Sequence, residues 1–156
     1  MENKLDKTDV GILNLLQEDS RLTHKELAVR LHKTITPIHA RVRRLQEEGY
    51  IKRYTAIIDH KKIGRSLIAF TQVQLKEHSQ ERLMAFMSEA VKLPEVMECY
   101  HMTGSFDFLL RIAIKDMDEY NLVLMKKLSM LPDVGTMQSL FVMSEAKHET
   151  AYILEN

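Results

Sequence analysis

A single cysteine, Cys99, stands among the 156 residues. That excludes an intramolecular disulfide framework and any zinc site built on several thiolates. The longest uninterrupted apolar runs are four or five residues, Leu67 to Phe70 among them, against the roughly 20 that a membrane helix needs. The opening MENKLDKTD has no apolar centre and does not read as a signal peptide. A soluble, cytoplasmic chain with no membrane attachment is therefore expected. The phosphate loop Gly-x-x-x-x-Gly-Lys is missing, and so is the nucleophile elbow Gly-x-Ser-x-Gly. The seven histidines are scattered, with no i,i+4 pair backed by a carboxylate. No catalytic residue, metal site or cofactor is expected. Net charge is absent as well, with 22 Lys+Arg against 22 Asp+Glu.

The sequence does hold an ordinary globular balance of 45% hydrophobic and 28% charged residues, which argues against disorder. The length suits one mid-sized domain or two small ones. The zero net charge hides an asymmetry. Residues 21–53 hold nine basic side chains and only three acids (Glu26, Glu47, Glu48). Positive charge concentrated in one segment of a neutral chain points to a polyanion partner.

From Leu5 to Gly49 the apolar spacing is helical, with three start signals. Asp6 can cap a helix whose third position is Asp9, with Leu5 and Val10 as a hydrophobic staple. Thr23-x-x-Glu26 is a capping box, with Leu22 and Leu27 as its staple. Thr34 is the third cap, Pro37 falls inside the first turn, and Gly49 suits a left-handed stop. The second and third helices, joined by a short turn, have helix-turn-helix proportions. With Ile38, Val42 and Leu45 inward, the third helix presents Thr36, Ala40, Arg43 and Glu47, flanked by His39 and Arg44. Thr36, His39 and Arg43 are the candidates for base edges, with Ala40 among them on the DNA-facing side. Thr23, Lys33, Thr34, Arg41 and Arg44 are candidates for the DNA backbone. Tyr50 to Asp59 reads as a strand, whose Lys52 and Arg53 would form a small wing against phosphate. His60 to Gly64 reads as the linker, dividing a DNA-binding domain (1–60) from a second domain (61–156).

That second domain carries an internal repeat: Leu93-Pro94-Glu95-Val96 recurs as Leu131-Pro132-Asp133-Val134. Each copy follows an amphipathic helix (79–92 and 117–130) and precedes a strand. The first helix places Leu83, Phe86, Met87, Ala90 and Val91 on one face, and the second places Tyr120, Val123, Leu124 and Leu128, with Lys127 at the edge. Strands at 67–75, 96–103, 107–114 and 136–144 complete a βαββαβ order. The fold class expected is α+β, a winged helix-turn-helix followed by a ferredoxin-like sandwich with both helices on one sheet face. The other sheet face then needs cover, which a second copy would supply, so a homodimer is expected. Met84, Met87, Met125 and Met130 read as core fillers, and Cys99 as a small buried apolar group.

Leu5-Asp6-x-x-Asp9-x-x-Ile12-Leu13-x-x-Leu16, Arg21-Leu-Thr-His-Lys-Glu26-Leu27-Ala28 and Arg41-Val-x-Arg-Leu45-x-x-x-Gly49-Tyr-Ile51 together resemble the Lrp/AsnC family of transcription regulators. The loop Thr103-Gly104-Ser105-Phe106-Asp107 is similar to that family's Gly-x-Phe/Tyr-Asp signature, and the likeness runs from Leu5 to about His148. In the turn before the third helix, His32-Lys33 replaces the usual Gly-Leu, so His32 would need a backbone that glycine adopts more cheaply. The resemblance implies a sequence-specific, double-stranded-DNA-binding regulator with an ACT-like effector domain. It also implies a small effector, an amino acid in many members, and dimers assembling into octamers. Asp107 would meet the effector's ammonium, and the backbone of Met102, Thr103, Gly104, Ser105 and Phe106 its carboxylate. Tyr100, Thr136 and Gln138 on neighbouring strands are further candidates. Two alternatives stay open, an architectural DNA-binding protein of the nucleoid type and an enzyme subunit like siroheme decarboxylase.

Overall fold

The structure, a computed structural model, describes residues 5–155. Met1 to Lys4, part of the opening that does not read as a signal peptide, lie outside the described residues. The chain divides into two units. One comprises the residues up to Ile57 together with those from Lys147 onward, and the other spans Ile58–Ala146.

The first unit contains α1 (Lys7–Glu18), α2 (His24–Arg30) and α3 (Ile35–Glu47). Its helices begin where the caps require. Asp6 Oδ1 accepts the N–H groups of Thr8 (2.8 Å) and Asp9 (2.9 Å), and Asp9 Oδ2 accepts the Asp6 N–H at 3.1 Å. Thr23 and Glu26 make the same reciprocal pair for α2. Thr34 occupies the cap position of α3 with extended backbone, yet its hydroxyl makes no capping bond. Gly49, at φ +79°, ends α3 in the left-handed conformation a side chain would resist. His32 adopts φ +53° in the turn between α2 and α3, as the His32-Lys33 departure from Gly-Leu required. The Lys33 N–H then reaches back to the Ala28 carbonyl at 2.9 Å. Ile12, Leu13, Leu16, Leu27, Ala28, Ile38, Val42 and Leu45 form the core. Each large side chain fully buried there contributes about 1.5–3 kcal/mol.

Two expectations fail at this unit's edges. Residues 50–59 form no strand, and none of the three β ladders includes them. β-rich composition yields a strand only where a neighbouring edge takes its N–H and C=O groups. The segment carrying Lys52 and Arg53 is thus an exposed arm rather than a β-wing. The tail also leaves the second domain expected for it. Leu154 packs against the helical core, Asn14 Nδ2 donates to the Leu154 carbonyl (3.2 Å), and the Tyr152 N–H donates to Gln17 Oε1 (2.7 Å).

The second unit opens with a hydrogen-bonded turn at His60–Arg65, where the Arg65 N–H donates to the His60 carbonyl at 2.8 Å. β1 (Leu67–Leu75), α4 (Gln80–Ala90), β2 (Val96–His101), β3 (Phe108–Ile114), α5 (Met117–Lys126) and β4 (Val134–Phe141) follow. The sheet order is β2-β3-β1-β4, with every neighbouring pair antiparallel, which is the ferredoxin-like arrangement. Ala69, Val73, Leu75, Phe108, Leu110, Ile112 and Ile114 meet Phe86, Ala90, Tyr120 and Val123 in one core. Both helices therefore cover one sheet face, and the period-2 alternation assigns the faces. The strand at 96–103 stops at His101, β4 begins and ends earlier than expected, and a 3₁₀ turn (Leu128–Met130) replaces the last turn of α5. Val91 is exposed rather than part of the apolar face of α4, because the helix ends at Ala90. Of the four methionines expected in the core only Met87 packs there; Met84, Met125 and Met130 are exposed, since an unbranched thioether tolerates a helix's outer face.

The repeat is locked across its two halves. Lys127, just past α5, reaches the buried Glu95 Oε1 at 2.5 Å, instead of sitting idle at the edge of a stripe. Asp133, at φ +59°, grips the β1–α4 loop, its carbonyl accepting the Lys76 N–H (2.9 Å) and its Oδ2 the Glu77 N–H (2.8 Å).

Candidate DNA-reading face and effector cavity

In the first unit Ile38, Val42 and Leu45 are buried and aim α3. The opposite face, Thr36, His39, Ala40 and Arg43, is exposed. Arg43 Nε sits 2.7 Å from Glu47 Oε1 one turn on, an i,i+4 pair that holds the guanidinium along the helix without burying it. Lys33 and Thr34 are exposed at the N-terminal end of α3, Lys52 and Arg53 on the arm after it. His39 touches a residue the sequence reading passed over: its ring meets that of His24 edge to face, 4.9 Å between centroids. The signal was position, since His24 opens α2 beside the Thr23 cap. The Thr23 hydroxyl is engaged locally, donating to Glu26 Oε2 (2.7 Å) and accepting the Glu26 N–H (3.3 Å).

Arg41 and Arg44, expected on phosphate, are held against α1. Arg41 Nη1 lies 2.6 Å from Asp6 Oδ2 and 2.8 Å from Asp9 Oδ1, and Arg44 Nη2 lies 2.6 Å from Asp9 Oδ2. Asp9 is only 1% exposed. Burial pushes its carboxyl up, but the hydrogen bonds from Arg44, Arg41 and the Asp6 N–H outweigh this and hold it below the ordinary value. Both guanidiniums are in turn held more basic by Asp9. Helix periodicity placed Arg44 on a flank and left Arg41 as a phosphate candidate, and their partner on another helix was not legible there.

In the second unit, Met102, Thr103, Ser105 and Phe106 line a cavity of about 310 Å³ together with Gln72, Phe108 and Leu109. The last three were missed, although Gln72 and Leu109 are β1–β3 partners in register. No ionisable side chain is among these lining residues. Gly104 forms the loop tip at φ +116°, with open space where a side chain would stand, so ligand and backbone can approach closely there. Tyr100, Leu109, Gln72 and Gln138 form one rung straight across the sheet, with Thr136 opposite Gln74 on the next rung of the same face. Tyr100 and Gln138 thus share the cavity's rung without lining it.

Asp107 is engaged differently from expectation. Its Oδ2 accepts the Leu75 N–H at 2.8 Å, and its Oδ1 lies 3.0 Å from His78 Nδ1. A carboxylate with both oxygens committed to its own fold is not the ready ammonium ligand the sequence suggested. Cys99 is half-buried against the core, and burial pushes its thiol up, as befits an apolar filler. Among the described residues no cluster of three or more His, Cys, Asp or Glu could hold a metal, and no helix is long and apolar enough to cross a membrane.

A helix-turn-helix with an exposed polar and basic helix face, joined to an α+β module with a neutral cavity, defines a ligand-responsive DNA-binding regulator. Comparison with known proteins gives the family. Residues 5–52 match the family model described as winged helix-turn-helix DNA-binding, and residues 68–152 match the Lrp/AsnC ligand binding domain. The chain belongs to the Lrp/AsnC family of transcription regulators. It is 34% identical to the Bkd operon transcriptional regulator of Pseudomonas aeruginosa, over 95% of this chain and 97% of that one. It is likewise 34% identical to the leucine-responsive regulatory protein of Escherichia coli, over 97% and 92%. Among solved structures it is similar to a Neisseria meningitidis transcriptional regulator in complex with L-Met (TM-score 0.90, 33% identity, 96% and 97% covered). An AsnC family regulator from Agrobacterium tumefaciens is equally similar in fold (TM-score 0.90, 31% identity, 96% and 97% covered). These relatives are regulators of transcription, which sets aside the decarboxylase alternative.

Proposed function

We propose that this chain is a cytoplasmic, sequence-specific regulator that reads double-stranded DNA through α3 and alters promoter occupancy when an amino acid enters the cavity at residues 102–106. The observation that carries the reading is the exposed row Thr36, His39, Ala40 and Arg43, set on a helix whose other face is locked into the core. Arg43 is the main base-reading candidate, since an arginine fork matches guanine in the major groove. Lys33, Thr34, Lys52 and Arg53 serve the backbone. Arg41 and Arg44 act one step back, fixing α3 against α1 through Asp9.

The cavity's apolar walls (Met102, Phe106, Phe108, Leu109) with neutral Thr103, Ser105 and Gln72 favour an effector with an uncharged, largely apolar side chain. The complex of the Neisseria relative with L-Met supports the same class. The sheet face opposite the helices carries exposed Leu140 with half-buried Phe70, Leu109 and Arg111; this apolar strip supports homodimerisation, and the family resemblance supports assembly to octamers. A two-fold dimer would place two copies of α3 on half-sites about one helical turn apart, 34–36 Å.

The test compares a DNA site selected from a random pool with unselected DNA, across a salt series. Arg43→Ala weakens the selected site by about 1–3 kcal/mol while leaving random DNA nearly unchanged. Equal loss on both sequences refutes the base-reading assignment. A wild-type preference near unity for the selected site points instead to the architectural class.

A further inference from the structure

We infer that His78 is a positioning residue for the effector loop, a proton-responsive latch acting through Asp107. This rests on the effector reading of the cavity given above. Four of the cavity's lining residues, Met102, Thr103, Ser105 and Phe106, belong to the β2–β3 loop. At the loop's tip, open space surrounds the position where a Gly104 side chain would stand. Its base is fixed by Asp107, whose carbonyl accepts the Met102 N–H (2.8 Å) and whose N–H donates to the Val73 carbonyl (2.9 Å). The Asp107 side chain then ties this base to the end of β1 and the loop beyond, through the Leu75 N–H and His78 Nδ1. The cavity wall therefore stands only as firmly as Asp107 is held.

Among the described residues, His78 is the imidazole in contact with that carboxylate. An ionised carboxylate only accepts, so Nδ1 carries the hydrogen toward it. When the second ring nitrogen also takes a proton, the bond becomes charge-assisted and strengthens. Imidazole is the side chain that makes this change between pH 5 and 8. Of the other charges around the latch, Glu77 faces Arg82 on α4 at 3.5 Å and the Asp133 carboxylate takes the Glu77 N–H, while Lys76 is the neighbouring cation on the same loop. His78 is 56% exposed, so the gain is that of a solvent-screened pair, about two- to fivefold in latch closure. The loop firms, and effector affinity rises, as pH falls from 8 to 6.

The experiment uses the full chain, wild type and His78→Asn, at pH 6 and pH 8. Asparagine keeps an N–H donor at the Nδ1 position but does not titrate. Amide exchange of Leu75 and of residues 102–107 is measured without ligand and corrected for intrinsic rates; L-methionine and L-leucine binding are measured in parallel. Wild-type protection is expected to rise about two- to fivefold at pH 6, with L-methionine affinity following, while His78→Asn stays level and still binds. Level protection in the wild type, or the same pH slope in His78→Asn, overturns the latch. If neither amino acid binds at either pH, the effector reading fails, and the exchange data alone decide the latch.

Discussion

Replacing Asp9 by Asn tests whether the first unit is held together by one buried carboxylate. The isosteric amide keeps the volume but removes the charge on which the Arg41 and Arg44 guanidiniums converge. Removing one side of a buried ion pair typically costs about 3–5 kcal/mol. The arginine heads here are 32% exposed, so water can rehydrate them, and the low end, about 3 kcal/mol, applies. For a unit of this size that loss lowers the melting temperature by about 12–24 °C. Protection of the α1 and α3 amides should fall about a hundredfold, while that of β1 and β3 stays unchanged. Removing Arg41 or Arg44 alone leaves Asp9 one partner and costs about 1.5–3 kcal/mol, and the two losses do not add. The carboxyl is held below its ordinary value, so its contribution is present above the unfolded value of about 3.9. It is lost as pH falls through the lower folded value, so Asp9→Asn should flatten the acid limb of the stability curve. A loss below about 1 kcal/mol, or an equal loss in the second unit, would refute the reasoning.

Three further outcomes follow from the geometry. His32→Gly should stabilise the first unit by about 0.5–1 kcal/mol in a urea titration, because His32 is exposed and its φ of +53° suits glycine better. Tyr120→Phe removes the hydroxyl that joins Thr71 (2.8 Å) to Ser139, and should lower the second unit's stability by about 1–3 kcal/mol, Thr71 being fully buried. Lys127→Met leaves Glu95 buried without its cation and should cost about 3 kcal/mol or more, read as a lower melting temperature of the ligand-binding unit. Also replacing Glu95 by Gln should recover part of the loss.

The helices were legible in the sequence because their signals are local. Capping residues, apolar spacing and Gly49 all act within one or two turns, and α1 to α3 fall within a residue or two of expectation. The buried face of α3 was legible for the same reason. The strands β1 and β3 were readable from apolar runs, but Tyr50 to Asp59 shows the limit, since a strand needs a partner that composition cannot supply. The misjudged site residues share one cause. Arg41 and Arg44 find Asp9 from 32 and 35 positions away in the chain, and Asp107 finds His78 across 29; no periodicity announces such meetings. Thr103, Ser105 and Phe106 of the loop motif line the cavity with Met102 before them, whereas Gln72, Phe108 and Leu109 joined it through strand pairing.

The return of the tail to α1 makes the second unit an insertion rather than an appendage. About 90 residues, Ile58 to Ala146, lie between the two stretches that build the first unit. Docking the tail on α1 therefore closes a loop that contains the whole second unit. If the insert unfolds, docking the tail means closing a flexible loop of about 90 residues, a penalty of roughly 4 kcal/mol from (3/2)RT ln n. The grip of Tyr152 and Leu154 on α1 is thereby a report on whether the ligand-binding unit is intact. A chain with a damaged sensor would carry a DNA reader with a loosened first helix, so sensing and reading fail together rather than apart.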